Sequence, residues 1–262
     1  MVQLLLHRPA AEASANPAAG GGLPDPGQAL DDEQLLGLYT PASGDSPFVR
    51  FNFVTTLDGA ATHGGVSGAL GTPADKRLFA LLRRLADVIL VGAGTVRAEG
   101  YAGPLLDDAG QAWRRERGLD AHPAVALVSG RLDLDPSSGL FEGAPVRPLL
   151  LTTDGAAEAR GALFAEVADV VPCGTEHASP AAAVAELGRR GHRLVHSEGG
   201  PTLFGSFQDA DLVDSLCLST SPLLAGGGGR RIVGGPGDGV LRRVRLRHLL
   251  EEDGALFAEY RR

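Results

Sequence analysis

The chain has 262 residues, of which 44% are hydrophobic, and its formal net charge at pH 7 is −8. This length fits one large domain or two small ones with a sizeable core. The negative charge argues against nucleic acid as the main partner, because phosphate binding needs a basic surface. The longest apolar run, residues 85–96, is interrupted by Asp87 and Gly92 and is shorter than the roughly 20 residues of a membrane span. No basic residue precedes the first Leu run, so a secretory signal is not expected and the sequence predicts a cytoplasmic protein.

The cysteines and histidines show no metal-binding pattern. Cys173 and Cys217 stand in unrelated contexts, without the paired spacing of a zinc site or a disulfide framework. His192 and His196 are four residues apart, but at the start of a strand such a pair does not converge on one ion. The sequence therefore predicts no metal site.

Residues 1–46 are expected to form an N-terminal arm with one short helix. Within them, residues 9–28 consist mainly of Ala, Pro and Gly, and cannot bury enough apolar surface to offset the entropy of ordering. Two aspartates precede a short apolar face in residues 30–39, which is typical of a capped helix of two or three turns. No boundary divides residues 47–262, so one domain is expected there.

Short apolar runs alternate with helical patterns through the middle of the chain. Strands separated by helices imply a largely parallel sheet that is covered on both faces. Strands are predicted at residues 48–54, 87–91, 124–129, 148–152, 167–171 and 193–197, and helices at 73–85, 180–190 and 201–209, with a short helix from Gly94.

The last third of the chain changes character. Residues 212–220, 241–249 and 255–260 read as strands with turns and no convincing helix between them. This pattern predicts antiparallel strands at the C-terminal edge of the sheet. The expected fold class is α/β, with a mixed, mainly parallel central sheet flanked by helices.

Two glycine-rich segments each follow a strand and begin a helix. Residues 88–91 lead into residues 92–95 (GAGT), and residues 194–197 lead into residues 198–202 (EGGPT). Such a turn brings free backbone N–H groups and the positive end of a helix dipole to the carboxyl edge of the sheet, where phosphate is attracted. A tight turn that needs glycine for its shape alone is an equal alternative for a single segment, but two such turns in one sheet favour a dinucleotide site. Neither segment matches a Rossmann fingerprint or a phosphate-binding P-loop.

Several motifs occur in an order that is typical of one protein family. They are residues 55–59 (TTLDG), Ser67, Leu82 with Arg83, residues 87–96 (DVILVGAGTV), 198–203 (EGGPTL), 212–214 (LVD) and 221–227 (SPLLAGG). This series resembles the reductase domain of bifunctional riboflavin-biosynthesis deaminase/reductases, over roughly residues 48–260.

The resemblance implies a dihydrofolate reductase-like fold, a homodimer, and NADPH bound across the carboxyl ends of the strands. The implied reaction is the NADPH-dependent reduction of 5-amino-6-(5-phosphoribosylamino)uracil, in which the ribosyl group becomes ribityl. Hydride chemistry belongs to the nicotinamide, and the protein aligns it and places charge around it. Residues 47–262 would then be the reductase domain.

The resemblance also implies where the cofactor binds. Val54 would contact the nicotinamide half through its backbone, and Thr95 with residues 199–203 would contact the pyrophosphate and ribose. Ser129 and Arg131 would meet the adenosine 2′-phosphate, because arginine matches this dianion in charge and fork geometry; a solvated loop arginine is the alternative. The predicted cofactor-binding residues are Val54, Gly92, Gly94, Thr95, Ser129, Arg131, Gly199, Gly200, Pro201, Thr202 and Leu203.

The substrate contacts come from the same resemblance. A carboxylate beside a dinucleotide site can orient substrate N–H groups or relay a proton. Glu198 is the first candidate for this catalytic role, and Glu99, where the family usually has an aspartate, is the second. Asp58 is a third candidate, with an equal alternative as a turn residue that caps its own backbone. The predicted substrate-binding residues are Asn52, Ser67, Arg83 and Glu198.

The substrate half departs from the family pattern. Residues 1–46 are too short for a deaminase domain and the chain has no Pro-Cys-x-x-Cys motif, so a stand-alone reductase is expected. After Glu99, residues 100–104 (GYAGP) replace the usual Asp-Pro and an arginine for the substrate phosphate, and Ala69 replaces a common Trp. The Arg-rich residues 105–122 could supply a replacement, although a solvated charged helix is preferred.

Two alternatives therefore stay open beside the pyrimidine reductase. One is a dihydrofolate-type or other pterin or pyrimidine reductase, which the missing phosphate clamp would favour. The other is a catalytically silent NADPH-binding protein, which the changes around Tyr101 would favour.

Overall fold

One ten-stranded sheet organises the computed structural model, which describes residues 1–8 and 25–262. The strands are β1 (Gln3–His7), β2 (Phe48–Thr56), β3 (Val88–Gly92), β4 (Ala124–Val128), β5 (Leu149–Thr152), β6 (Asp169–Pro172), β7 (Leu194–Ser197), β8 (Ser215–Ser221), β9 (Arg245–Glu252) and β10 (Ala255–Arg261). Their order across the sheet is β1-β9-β10-β8-β2-β7-β3-β4-β5-β6. The helices are α1 (Asp32–Tyr39), α2 (Pro73–Leu85), α3 (Ala93–Glu99), α4 (Asp108–Glu116), α5 (Gly139–Glu142), α6 (Asp154–Arg160), α7 (Pro180–Arg189) and α8 (Pro201–Asp209), with a 3-10 turn at Gly161–Phe164.

The sheet is mixed and mainly parallel, which confirms the predicted fold class. Neighbouring strands from β8 through β2, β7, β3, β4 and β5 to β6 pair in parallel. Strands β10, β9 and β1 complete the other edge with antiparallel pairing. The carboxyl ends of β2, β7, β3 and β4 therefore lie side by side at one edge of the sheet.

Both faces of the parallel part are buried, as its continuous apolar strands require. In β3, Leu90 packs into one apolar cluster and Val91 into another, because successive side chains of a strand point to opposite faces. Helices α7 and α8 cover the first face, whereas α5 and the 3-10 turn contribute to the second. No helix in the described part of the chain has the length and apolar character needed to cross a membrane.

The C-terminal strands differ from the prediction in where two of them begin and in the pairing of β8. The strand expected at residues 212–220 begins at Ser215, and β8 is parallel to β2 and antiparallel to β10. It is therefore the point at which the sheet changes from parallel to antiparallel, since β10 returns beside it through a tight turn from β9. The strand expected at residues 241–249 begins only at Arg245.

The N-terminal segment contributes more to the fold than an arm would. Strand β1, for which the sequence predicted no structure, pairs with β9, and its Leu4 is buried. The expected helix at residues 30–39 forms as α1, with a capping box between Asp31 and Gln34, and packs against α2. The run of three leucines in β1 is too short to show an alternating apolar pattern in the sequence, so this strand was not predicted. Much of the Ala, Pro and Gly run, residues 9–24, lies outside the described residues.

A buried charge cluster ties the parallel and antiparallel parts together. Arg50 on β2, Glu259 on β10 and His248 on β9 are all fully buried. Glu259 lies 3.7 Å from the Arg50 guanidinium and accepts two hydrogen bonds from Arg261, both at 3.0 Å, and one from Ser215 Oγ at 2.7 Å. Burial alone would raise the pKa of Glu259, but the arginines outweigh it and hold this pKa below its ordinary value.

We expect Glu259→Gln to lower the free energy of unfolding by about 3–5 kcal/mol at pH 7, because Arg50 would remain buried without its counter-charge. The pKa of Glu259 is lowered on folding, so its stabilisation is complete above the ordinary glutamate pKa of about 4.3 and is lost as the pH falls further. Urea unfolding at pH 7 and at about pH 3 measures this loss. Glu33→Gln, which alters an exposed ion pair with Arg117, should cost less than about 1 kcal/mol; equal losses in the two variants would contradict the role of burial.

Candidate active-site cleft

A cleft of about 1170 Å³ runs along the carboxyl edge of the parallel strands. Residues that follow β2, β3, β4 and β7 line it, and α2 closes one side. In open parallel sheets this edge is the usual ligand site, because helix N-termini and loops converge there. Its volume exceeds the roughly 300–1,000 Å³ of most small-molecule pockets, which leaves space for a cofactor and a substrate together.

The two glycine-rich turns meet in the centre of this edge. The Gly92 N–H donates to the Gly199 carbonyl at 3.0 Å, and the Glu198 N–H donates to the Leu90 carbonyl at the same distance. These bonds continue the parallel pairing of β3 with β7 beyond the ends of the strands. The two segments therefore form one continuous floor of the cleft.

Glycine is required in the second turn by space as well as by backbone conformation. Gly199 and Gly200 have φ values of +86° and +80°, a region that favours glycine. A Cβ on Gly199 would lie 2.7 Å from the Phe53 ring, and one on Gly200 would lie 3.0 Å from Thr95 Oγ1. Gly200 also begins α8 and has no side-chain cap, so the first N–H groups of this nine-residue helix are left for a ligand.

Glu198 accepts three hydrogen bonds from two side chains of the cleft. Arg83 on α2 donates to it with both fork nitrogens, Nε to Oε1 at 2.6 Å and Nη2 to Oε2 at 2.8 Å. The Tyr101 hydroxyl donates to Oε2 as well. The Glu198 carboxylate is 1% exposed, so it lies at the wall of the cleft with its orientation set by two partners.

The environment keeps Tyr101 protonated. Burial raises the pKa of its phenol, and the charge of Glu198 raises it further. Arg83 is fixed in addition by the Phe79 ring, which lies 4.3 Å from its guanidinium carbon, and by a hydrogen bond to the Leu105 carbonyl at 3.2 Å. Three aromatic or charged side chains around Glu198 therefore form a rigid unit.

Glu99 and Ser67 form a second polar pair in the cleft. The Glu99 carboxylate accepts from the Ser67 N–H at 2.7 Å and from Ser67 Oγ at 2.9 Å, through the same oxygen, Oε1. The bonds connect the end of α3 to the loop after β2. The other carboxylate oxygen makes no bond within the described residues and lies near Gly68.

The structure brings most of the sequence-predicted residues together. The cleft is lined by Asn52, Val54, Ser67, Arg83, Gly92, Gly94, Thr95, Glu99, Ser129, Arg131, Glu198, Gly200, Pro201, Thr202 and Leu203. Gly199 does not line it, but its carbonyl joins the two turns.

Asp58 does not reach the cleft. Its carboxylate accepts from the Thr56 hydroxyl and from the backbone N–H groups of Ala225 and Gly226, at 3.2 and 2.7 Å. These bonds lower its pKa to about 2. Asp58 therefore joins two loops as an ionised turn residue, which is the second of the two interpretations that the sequence left open.

The arginines of the Arg-rich segment do not line the cleft, although Leu105 at the start of the segment does. It contains α4, as the preferred interpretation expected, but Arg114 is buried and donates to the carbonyls of Arg84, Ala86 and Asp120. Orphan carbonyls at the end of α2 explain this burial, since an arginine can satisfy several of them at once. The predicted solvated helix is therefore only partly correct, because Arg114 of α4 is buried.

Sequence reasoning gave no role to several residues of the cleft wall. They are Lys76, Phe79, Arg97, Tyr101 and Arg230. Tyr101 stood in the segment that departs from the family pattern, and this departure was the available signal. The others lie on helices or loops whose facing direction depends on packing, which no local pattern specifies.

Comparison with known proteins places this geometry in a family. The model of the "RibD C-terminal domain" matches residues 47–253. The "2,5-diamino-6-ribosylamino-4(3H)-pyrimidinone 5′-phosphate reductase" of Archaeoglobus fulgidus is 28% identical over 182 residues, 69% of this chain and 83% of that protein. Its counterpart in Methanothermobacter thermautotrophicus is 27% identical over 220 residues, 82% of this chain and 97% of that protein.

Solved structures agree with this result. A pyrimidine reductase-like protein from Corynebacterium diphtheriae is 28% identical, with a TM-score of 0.79, over 88% of this chain and 98% of that one. The Rib7 riboflavin biosynthesis reductase of Saccharomyces cerevisiae is 20% identical and shares the fold, with a TM-score of 0.61 over 85% of this chain and 92% of that one. The chain belongs to the family of the RibD C-terminal domain.

Proposed function

We propose that this chain is an NADPH-dependent reductase of a ribosylaminopyrimidine 5′-phosphate, which converts the ribosyl group into a ribityl group. The observation that carries this proposal is the joined floor of two glycine turns with Glu198, Arg83 and Tyr101 beside it. The two archaeal relatives bear the name of such a reductase. Residues 47–262 are the proposed reductase domain, as the sequence predicts.

The residues present fit a dinucleotide. The turns at Gly92 and Gly200 leave room that a Cβ would narrow, and their N–H groups suit the pyrophosphate. Ser129 and Arg131, after the neighbouring strand β4, stand at the proposed 2′-phosphate end. Bound NADPH would supply the hydride from its nicotinamide ring. Val54 at the end of β2 would hold that ring through its backbone.

The unit around Glu198 would orient the substrate. With Arg83 and Tyr101 as donors, Glu198 has three of its roughly four acceptor positions occupied, so one remains for a substrate N–H or hydroxyl. Its role is to hold the reacting sugar against the nicotinamide and to stabilise positive charge there. Tyr101, which stays protonated, can donate within this unit but cannot act as a base.

Arg83 is only partly free to bind a substrate phosphate. Three of its five N–H groups are engaged, two by Glu198 and one by Leu105. Lys76 and Arg230 line the same cleft and are the proposed cations for this phosphate, in place of the missing arginine. The alternative substrate, dihydrofolate, carries carboxylates but no phosphate, so phosphorylated and dephosphorylated pyrimidines distinguish the two functions.

Purified protein should oxidise NADPH with the 2,5-diaminopyrimidinone or the 5-aminouracil form of the ribosylamino 5′-phosphate. Glu198→Gln should lower kcat by at least about a hundredfold, because it removes the charge that holds Arg83 and faces the sugar. Tyr101→Phe should lower kcat/KM by about tenfold through the loss of one hydrogen bond. Stopped-flow absorbance at the NADPH band measures these rates.

Glu186→Gln, on the surface of α7, is the matched control and should retain the wild-type rate. Equal rates with phosphorylated and dephosphorylated pyrimidine, together with turnover of dihydrofolate, would favour the dihydrofolate-type reductase. NADPH binding without turnover of any of these substrates would instead support a silent binding protein.

Arg131→Ala should weaken NADPH binding by about ten- to a hundredfold and leave NADH binding nearly unchanged, because only NADPH carries the 2′-phosphate. Isothermal titration calorimetry with each cofactor measures the two affinities. Equal losses for the two cofactors would show that Arg131 does not read the 2′-phosphate.

We further propose that the chain forms a homodimer through the segment 222–244. Within the described residues, six of the eleven exposed large apolar side chains lie on this segment: Leu223, Leu224, Val233, Val240, Leu241 and Val244. Exposed apolar side chains concentrated in one segment favour a protein interface there.

Light scattering should give a mass near twice the 27.0 kDa of the chain. Leu241→Asp should shift the chain toward the monomer, since Leu241 is 99% exposed and a charge there opposes burial. Leu163→Asp, at a distant exposed leucine, should leave the mass unchanged. A monomer mass for the unmodified chain would refute the dimer.

A further inference from the structure

The segment after β4, residues 129–133, is held firmly at its start. Thr152 Oγ1 donates to the Ser129 carbonyl at 2.6 Å, and Thr153 Oγ1 donates to the Gly130 carbonyl at 3.1 Å. Thr152 is the last residue of the adjacent strand β5 and Thr153 follows it, so the segment is attached to the sheet itself. The carbonyl oxygens of Ser129 and Gly130 point toward the end of β5, and residues 129–131 also line the cleft.

Leu132 fixes the direction of the segment. It has a φ of +47°, a region that is unfavourable for a leucine by about 1–2 kcal/mol. It is fully buried in the apolar cluster with Leu127 and Phe164, and this burial is worth roughly as much as the backbone conformation costs. With Leu132 pointing inward, its neighbours Arg131 and Asp133 are exposed at the cleft.

Arg97 on α3 completes this end of the cleft. Its Nη1 donates to the Asp133 carbonyl at 2.8 Å, which connects α3 to the held segment and leaves four of its five N–H groups without a bond in the described chain. Arg97 and Arg131 both line the cleft. The Asp133 carboxylate lies 4.0 Å from Arg160, which offsets its charge from outside the cleft.

Two guanidinium groups, those of Arg97 and Arg131, line this end of the cleft, and together they suit a dianion better than one of them alone. No residue in the described ranges forms a hydrogen bond or ion pair with the Arg131 side chain, and Arg97 is engaged by one backbone oxygen only. A phosphomonoester carries nearly two negative charges and three acceptor oxygens, which two arginine forks can satisfy together.

We propose that Arg97 is a second specificity residue for the cofactor, which binds the adenosine 2′-phosphate together with Arg131 and is positioned for it by the Asp133 carbonyl. This inference rests on the proposed NADPH site. Arg97 thereby couples the phosphate-binding end of the cleft to α3, whose first turn belongs to the floor of the pyrophosphate site.

Calorimetric titration of the full chain with NADPH and with NADH tests the inference. Arg97→Ala should weaken NADPH by about ten- to a hundredfold and NADH by less than about threefold, since a charge-assisted hydrogen bond to the 2′-phosphate is lost. Arg97→Lys, which retains the charge without the fork, should fall between the unmodified chain and Arg97→Ala. Arg160→Ala is the control, because Arg160 approaches the same segment without lining the cleft, and it should leave the two affinities unchanged.

Thermal unfolding of each variant separates a folding defect from a binding defect, because Arg97 is exposed and its removal should not change Tm. Equal losses of NADPH and NADH would place Arg97 at the pyrophosphate and overturn the inference, as would an unchanged NADPH affinity or an equal loss in Arg160→Ala. An unmodified chain that binds the two cofactors equally would overturn the proposed cofactor itself. A clear NADPH preference that Arg97→Ala does not reduce would overturn only the role of Arg97.

Discussion

The hydrogen bond from Gly92 to Gly199 is the contact on which the rest of the cleft depends. It joins the turns after β3 and β7, which are neighbours in the sheet although about a hundred residues separate them in the chain. Because the bond joins two backbone groups, the relative position of the two turns does not depend on the side chains that they carry. Glu198 then enters the cleft directly beside the first N–H groups of α8, and the proposed hydride donor and the reacting sugar share one floor.

The two halves of the cleft differ in that one is lined mainly by backbone groups and the other mainly by side chains. The proposed cofactor half consists of backbone N–H groups, glycines and the held segment after β4, whose positions are specified by the sheet. The proposed substrate half consists of side chains that are held by hydrogen bonds to other side chains: Arg83 and Tyr101 bind Glu198, and Ser67 binds Glu99. A change in one of these side chains therefore alters the orientation of its partners, whereas the backbone of the other half keeps its position.

The antiparallel edge has a separate role. Its strands carry the buried Glu259 and His248, which meet Arg50 of the parallel part behind the cleft. Burial lowers the pKa of His248 to about 4, so this side chain stays neutral under ordinary conditions and Glu259 is left as the counter-charge of Arg50. The cluster connects the two parts of the sheet and contributes no group to the cleft.

The sequence by itself determined the alternation of strands and helices, the two glycine turns and the ordered motifs of the family. Those features are local: an apolar run, a glycine before a helix or a proline at its first turn has the same meaning wherever it stands. Most of the predicted site residues therefore lie in the cleft, because the carboxyl ends of parallel strands meet at one edge. Only the tertiary structure decided which charged side chains face that edge. Asp58 and Arg114 turn away to satisfy backbone groups of other segments, whereas Tyr101 and Arg97 turn inward. Such choices depend on partners that are far away in the chain, and no spacing within the sequence records them.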